Sequence, residues 1–238
     1  MALELLYTSA PRGLRPGTSG FCTVLRSRGL SEALQRRLEA LSGYRPLEGG
    51  PTSPAAHAHW RLRVGGRVLD VLSRVAPCGV DHSGRENKLA HHLLLEPHER
   101  AAAGPAWLLR DGRWLRTRWD GTVGECEPVR DLPQGDQEPR RCENWERACG
   151  DAGWAGALAD RFLRDGSKPV WLLYEPGLDV LALVDEALAL LPPDRRWEVG
   201  FHTFFDTLPP GVECRWRWCA HGSRAAQRAA RAGGEVWD

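Results

Sequence analysis

Lysine is almost missing from this sequence: 32 side chains are basic, and all of them are arginine except Lys88 and Lys168. The basic side chains are balanced by 31 acidic ones, so the formal net charge is only +1. A domain that binds nucleic acid usually carries a basic excess on one face. The missing excess argues against nucleic acid as a partner, and the arginine bias fits the codon usage of a GC-rich genome.

Paired cysteines are missing as well: the seven cysteines contain no CxxC pair and are odd in number. Neither a disulfide framework nor a zinc ribbon is therefore expected, and reduced thiols in the cytoplasm are the simplest account. No cofactor or metal is predicted. A weaker alternative is a zinc site on His57 and His59, which a strand would place on one face. Its third ligand would come from far along the chain: His91, His92 or Asp81.

A phosphate-binding loop and a membrane segment are also absent. The glycine-rich stretch Arg12 to Gly20 lacks the Gly-Lys-Ser/Thr that leads a P-loop into a helix. Phe21 to Leu25 instead predicts a strand, so the glycines are interpreted as a hairpin loop. No stretch approaches the roughly 18 apolar residues of a membrane helix, and Met1 to Tyr7 does not resemble a signal peptide. A cytoplasmic globular protein without a membrane partner is predicted.

Strand-like and helix-like periodicities both occur, and together they predict an α+β fold. Trp60 to Val64 and Arg67 to Arg74 alternate on either side of Gly65-Gly66, which is a strong signal for a β-hairpin. Leu89 to Leu95 fits a strand or a helix, and a strand is favoured. The first half is therefore expected to consist of strand hairpins.

The last third predicts a strand–helix–strand unit within a mixed sheet. Lys168 to Tyr174 predicts a strand, Leu178 to Leu191 a helix, and Trp197 to Phe205 a second strand. Residues 1–238 are expected to form a single α+β domain. The charged, proline-rich stretch from Gly121 to Arg141 predicts a surface loop or a seam between two subdomains.

An aromatic and basic segment, Arg215-Trp216-Arg217-Trp218, has the composition of a nucleic-acid platform. In a strand, however, both tryptophans face one side and both arginines the other. A stacking platform needs the two types on the same face. Buried tryptophans with a solvated arginine edge are therefore predicted.

The densest group of polar residues lies between positions 73 and 92. Such groups on a loop held by rigid elements can form an acid/base or anion-binding site. A tight turn in which Asp81 and Ser83 satisfy backbone donors explains them structurally, and no nucleophile–base–orienter triad can be assigned. No catalytic residue is assigned, and the candidates for structure or recognition are Ser73, Arg74, Asp81, His82, Arg85, Asn87, His91 and His92.

This polar stretch resembles the core motif of the amino-terminal domain of bacterial GTPase-associated proteins. The matching segments are Val71 to Val75, Gly79 to Arg85 and Asn87 to His92, together with Leu6 to Ser9, Gly29 to Ser31 and Thr203 to Trp218. His82 stands where the family pattern has tyrosine, which argues against a role tied to a phenolic hydroxyl there.

The resemblance implies an adaptor or scaffold domain of a conflict or signalling system, with a GTPase or another NTPase as its protein partner, rather than an enzyme. Family members are large multidomain proteins, which leaves open that the chain is a fragment. Trp145 and Trp237 are the tryptophans expected to be exposed at an interface. Two alternatives stay open. One is a hydrolase or nuclease effector that uses the residues from Asp81 to His92, and the other is a sensor that binds a small anion through Arg74 and Arg85.

The cysteine pattern predicts that the chain folds without metal and without disulfides. Thermal melts recorded with and without a chelator, and with and without a reductant, should therefore coincide. A large fall in melting temperature on adding the chelator would reveal a structural metal.

Overall fold

The fold is built on one mixed β-sheet. The computed structural model describes residues 1–47, 53–129, 132–229, 231 and 235–238. The strands of these residues are β1 (Leu3–Ala10), β2 (Gly20–Ser27), β3 (Ala56–Val64), β4 (Arg67–Val80), β5 (Glu86–Leu95), β6 (Gly124–Cys126), β7 (Val170–Tyr174), β8 (Phe201–His202), β9 (Val212–Glu213), β10 (Trp216–Ala220) and β11 (Glu235–Trp237). Across the sheet their order is β11-β7-β10-β8-β3-β4-β5-β1-β2-β6, and β9 pairs with β3 beside this path.

Helices cover both faces of the sheet. Within the described ranges they are α1 (Glu32–Ala40), α2 (Pro105–Asp111), α3 (Glu143–Cys149), α4 (Gly153–Arg164), α5 (Val180–Ala189), α6 (Pro193–Arg196) and α7 (Arg224–Ala229). Helices α2 to α5 pack in the larger hydrophobic core on one face, and α1 and α7 pack in a second core on the other. None of these helices is long and apolar enough to cross a bilayer. The predicted α+β fold with a mixed sheet is confirmed.

The first half forms the antiparallel part of the sheet, as predicted. Gly65 and Gly66 both have positive φ, at 54° and 79°, which the tight turn between β3 and β4 requires of its two central residues. The ambiguous apolar run from Leu89 is part of strand β5, which pairs with both β4 and β1. Three adjacent antiparallel strands, β3, β4 and β5, thus form the middle of the sheet.

The last third contains the predicted strand–helix–strand unit, β7–α5–β8. Strands β7 and β8 both pair in parallel with β10, and β11 pairs in parallel with β7. In β10, Trp216 and Trp218 are buried on one side, as the alternation predicts. Four parallel strands therefore form one end of the sheet.

The second strand of this unit is much shorter than predicted, because only Phe201–His202 is regular strand. The carbonyl oxygen of Gly200 accepts from the amides of Arg215 and Trp216 at 2.6 and 3.1 Å. A Cβ at Gly200 would lie 2.6 Å from the carbonyl oxygen of Glu213. This close backbone contact takes the place of a regular ladder before β8.

The antiparallel and parallel parts meet where β3 pairs with β8, at Ala58–His202 and His59–Phe201. The stretch predicted as a seam contains the short strand β6, which pairs with β2, and a bridge between Val129 and Ala2. Residues 130 and 131 of that stretch lie outside the described residues. The seam between two subdomains stays a prediction.

One continuous sheet predicts one cooperative unfolding transition. We expect calorimetry to give a single peak whose calorimetric and van't Hoff enthalpies agree. Two separate peaks would contradict this expectation and favour the alternative of two subdomains.

Candidate functional site

Asp81 organises the turn between β4 and β5. Its carboxylate accepts hydrogen bonds from the hydroxyl of Ser9 at 2.8 Å and from the hydroxyl and amide of Ser83 at 2.7 and 2.8 Å. It also accepts from the amide of Arg85 at 3.1 Å. The hydrogen bonds from Ser83 and Ser9 hold the pKa of Asp81 well below its usual range. The carboxylate is therefore occupied in shaping the turn.

Arg85 and His82 lie on the outside of this turn. The Arg85 guanidinium donates to the hydroxyl of Ser83 at 2.8 Å and contacts Asp81 at 3.4 Å, while remaining largely exposed. The His82 side chain is exposed and has no hydrogen bond in the parts of the chain that the structure describes. The turn thus presents one imidazole and one guanidinium to solvent.

Asn87 fastens the start of β5 to the end of β1. Its side-chain oxygen accepts from the Ser9 amide at 3.0 Å and from the Thr8 hydroxyl at 3.2 Å, and its nitrogen donates to the Ser9 carbonyl at 3.2 Å. An amide side chain can both donate and accept, as this position requires. The role of Asn87 in the structure is to hold two strands together.

His91 lies in a buried ionic network on one face of the sheet. Its Nδ1 accepts from the amide of Arg116 at 3.0 Å, so its Nε2 carries the proton that is donated to Glu4 at 2.9 Å. Arg116 also forks onto the Glu4 carboxylate at 2.9 and 3.0 Å. Burial would raise the pKa of Glu4, but the bonds from His91 and Arg116 outweigh it and lower the value to about 2. Both His91 nitrogens are therefore occupied.

His92 points to the opposite face, because successive strand residues alternate. Its Nδ1 lies 2.7 Å from the Ser73 hydroxyl and its Nε2 lies 2.9 Å from the Ser42 hydroxyl. All three side chains are buried, and burial lowers the pKa of His92 to about 3. A neutral imidazole accepts from one serine and donates to the other. The pair Ser73–His92 has the spacing of a nucleophile and a base, but it lies in the core, with a second serine in the place of an orienting acid.

A third buried histidine network was not expected from the sequence. His59 Nδ1 lies 2.8 Å from the carbonyl of Val199, and its Nε2 lies 2.9 Å from the carboxylate of Asp70. Both neighbours are acceptors, and a neutral imidazole can donate to only one of them at a time. Arg100 donates to the other Asp70 oxygen at 2.5 and 2.8 Å. His59 therefore links β3 to Asp70 on β4 and to the backbone just before β8, and Asp70 in turn holds Arg100.

Arg74 lies between two histidines at the centre of the sheet. It pairs in register with His57 on β3 and with His91 on β5. Its side chain lines a cleft of about 380 Å³ together with those of His57, Arg110 and Asp179. Among the residues that the structure describes, the Arg74 guanidinium has no hydrogen-bond or ion-pair partner.

Arg74 and Arg85, which the sensor hypothesis combined, do not come together. Arg85 lies in the turn beyond Val80, the last residue of β4. Val80 lies six positions beyond Arg74 along the strand, or about 20 Å at the usual rise of a strand. One small anion cannot contact both guanidinium groups.

These networks do not bring possible metal ligands together in the described residues. Throughout the described ranges, no three His, Cys, Asp or Glu side chains are grouped so that they could hold a metal ion. Both nitrogens of His59, which the zinc alternative used, are occupied by Asp70 and Val199. The polar motif is thus distributed over a turn, a strand clamp and two separate buried networks.

A larger groove of about 910 Å³ opens beyond the carboxyl ends of β7 and β10. In open sheets of parallel strands, this edge is where ligands bind. Trp145 and Trp218 line the groove with their rings 5.6 Å apart, and so do Trp154 and Trp237, also 5.6 Å apart. Four of the chain's eleven tryptophans therefore converge here, although they are far apart along the sequence.

The sequence predicted that Trp145 and Trp237 are exposed, and the structure corrects this prediction in part. Trp145 is buried, and its indole donates to the carbonyl of Leu183 at 2.8 Å, because α3 packs against α5. Trp237 is half-buried. Trp154 is 47% exposed and Val236 is 38% exposed, and both border the groove. Nothing in the local sequence marks Trp154, which lies at the start of an amphipathic helix.

Two protein-family models match this chain. Residues 1–132 match the family model described as GTPase-associated protein 1, N-terminal domain type 2, and residues 142–238 match the model described as GTPase-associated protein 1, middle domain. The chain belongs to the GTPase-associated protein 1 family. No curated protein and no solved structure matches it.

The resemblance found in the sequence is therefore confirmed, and the family associates the chain with a GTPase system. The polar motif from Ser73 to His92 lies in the N-terminal match, whereas the aromatic groove lies in the middle-domain match. Strand β3 of the first pairs with strand β8 of the second. The sheet of this GTPase-associated chain is thus shared between the two matched segments.

Buried neutral histidines predict that stability falls in acid. Burial lowers the pKa of His92 and of His202 to about 3, and that of His57 to about 4, with Arg74 adding to the effect on His57. Below about pH 6.5 the unfolded chain binds protons that the folded chain does not, so the free energy of unfolding decreases by up to about 1.4 kcal/mol per pH unit for each histidine. Urea titrations between pH 7 and pH 4 measure this slope.

His202→Phe should reduce the slope, because it removes one buried titrating group. Equal slopes for the wild type and His202→Phe would show that His202 titrates alike in the folded and unfolded chains.

Proposed function

We propose that this chain is a non-catalytic docking domain, an adaptor or scaffold that binds a GTPase or another NTPase of a bacterial conflict or signalling system in the cytoplasm. The observation that carries the proposal is that three residues of the polar motif are already bonded within the protein. The imidazoles of His91 and His92 and the carboxylate of Asp81 bond to neighbouring protein groups rather than face a cavity. Membership of a GTPase-associated family supports the same conclusion.

The alternative of a hydrolase or nuclease is not favoured by this geometry. The Ser73–His92 pair is the arrangement nearest to a nucleophile with its base, and both residues are at most 1% exposed. A nucleophile must reach the reacting atom of its substrate. Without an opening above Ser73, this pair cannot do so.

The aromatic groove beyond β7 and β10 is the surface we assign to the partner. Tryptophan dominates the hot spots of protein interfaces, and Trp154 and Val236 are exposed apolar side chains at the groove. The carboxylates of Glu175 and Asp238 also line it. This combination fits a segment of the GTPase that presents apolar side chains beside a lysine or arginine.

Trp154→Ser should weaken binding of the proposed GTPase partner by about tenfold or more, since hot-spot truncations cost about 2 kcal/mol. Affinity is measured by biolayer interferometry with purified proteins, with the GTPase in its GDP and GTP states. Leu163→Ser is the matched control, because Leu163 is similarly exposed on the same helix but does not line the groove. It should bind like the wild type.

Equal weakening of binding by Trp154→Ser and Leu163→Ser would show that the interface is not at the groove. Absence of binding in both nucleotide states, together with hydrolysis of nucleotide, peptide or nucleic acid by the purified chain, would overturn the docking function in favour of an enzyme.

A further inference from the structure

The cleft around Arg74 contains two polar side chains that have no hydrogen-bond partner among the residues that the structure describes. Arg74 is half-buried on β4, and His57 lies directly opposite it on β3. The backbone of His57 bonds to Thr203, but its imidazole has no hydrogen bond within the described residues. Both side chains line the same cleft of about 380 Å³. The Arg74 guanidinium and the His57 imidazole, on adjacent strands, thus line the same cleft.

No carboxylate of the described residues forms an ion pair with Arg74. Arg110 on α2 is paired with Asp185 at 2.8 Å, and Arg116 in the following loop is paired with Glu4. Asp179 lines the cleft, but one of its oxygens caps α5 through the amide of Ala182.

The groups in register with Arg74 on the adjacent strands are His57 and His91, and they offer it no carboxylate. Burial lowers the pKa of Arg74. A partly desolvated cation is costly unless a counter-charge joins it.

We propose that this cleft binds a small ligand through an oxyanion group, a phosphate ester or a carboxylate, held by the Arg74 fork and the His57 imidazole. The planar guanidinium matches both kinds of oxyanion with two parallel hydrogen bonds. A volume of about 380 Å³ lies within the range of small-molecule sites. The apolar side chains of Leu109, Leu115 and Leu181 complete the lining and provide a surface for the rest of the ligand. This inference does not depend on the docking function.

An oxyanion in the cleft also changes the protonation of His57. Burial and the charge of Arg74 lower its pKa to about 4, and Asp179 acts in the opposite direction. The other charged or titratable groups around the cleft are Arg110 on α2, His91 on β5 and Arg116 in the loop. A bound anion offsets the effect of Arg74 and offers His57 an acceptor, so it raises the pKa of His57. His57 is therefore a reporter of binding that does not require an activity.

The test is a titration of the full chain with inorganic phosphate and, separately, with acetate, followed by NMR of the histidine side chains. We expect phosphate, acetate or both to shift the His57 signals with saturation and to raise the pKa of His57. The stronger of the two identifies the ligand as a phosphate ester or a carboxylate. Arg74→Gln should weaken binding by about tenfold or more, because it removes a charge-assisted pair of hydrogen bonds.

Arg74→Lys keeps the charge but loses the fork, and it should bind with intermediate affinity while keeping the fold. Arg85→Gln is the matched control, because Arg85 lies in the distant turn, and it should bind like the wild type. The proposal is overturned if neither anion shifts the His57 signals at tens of millimolar. It is also overturned if a folded Arg74→Gln or Arg74→Lys variant binds as tightly as the Arg85→Gln control.

Discussion

One buried imidazole joins the two parts of the sheet. His59 on β3 bonds to Asp70 on β4 and to the carbonyl of Val199, just before β8. The antiparallel half therefore contacts the parallel half through a buried hydrogen bond at the point where only two residue pairs connect β3 with β8. Removal of the imidazole would leave Asp70 with Arg100 alone and the Val199 carbonyl without this donor, in a region where water cannot replace it.

The neighbouring histidines set the register of the central strands. His91 fits only the face that carries Glu4, and His92 fits only the face that carries Ser73 and Ser42. A slip of β5 by one residue would exchange the two imidazoles and turn Leu93 away from its core. Apolar side chains would tolerate small shifts that hydrogen bonds of fixed direction do not. The adjacent histidines therefore contribute to the choice of one pairing among several.

The sequence predicts the elements of this fold better than their junctions. Gly65-Gly66 marks the hairpin because both residues need positive φ, and the alternation of Trp216 and Trp218 gives their buried side correctly. The second strand of the crossover unit is too long in the prediction, because its pattern does not reveal the backbone contact at Gly200. That contact depends on where another strand crosses, which no local pattern records.

The candidate site shows the same limit. Its motif residues on β4 and β5 can be selected from the sequence, because many polar types occur there within a short stretch. The partners of these residues cannot be selected from the sequence, because Glu4 lies 87 residues from His91 and Ser42 lies 50 residues from His92. The partners are single polar residues in otherwise ordinary segments, so composition gives no signal for them. Only the folded structure shows that His91 and His92 are bonded to residues far outside the motif.

Although the net charge of the chain is close to zero, its ion pairs are unevenly distributed. Three of the buried acids, Glu4, Asp70 and Asp185, each have an arginine within 3 Å. Arg74 is half-buried and has no such acid in the described residues, although the totals of 32 and 31 leave a carboxylate for almost every cation. Pairing in the interior stabilises the fold only when both charges are present. Arg74, which has no acid among the described residues, is therefore a position at which this fold can gain a counter-charge from outside.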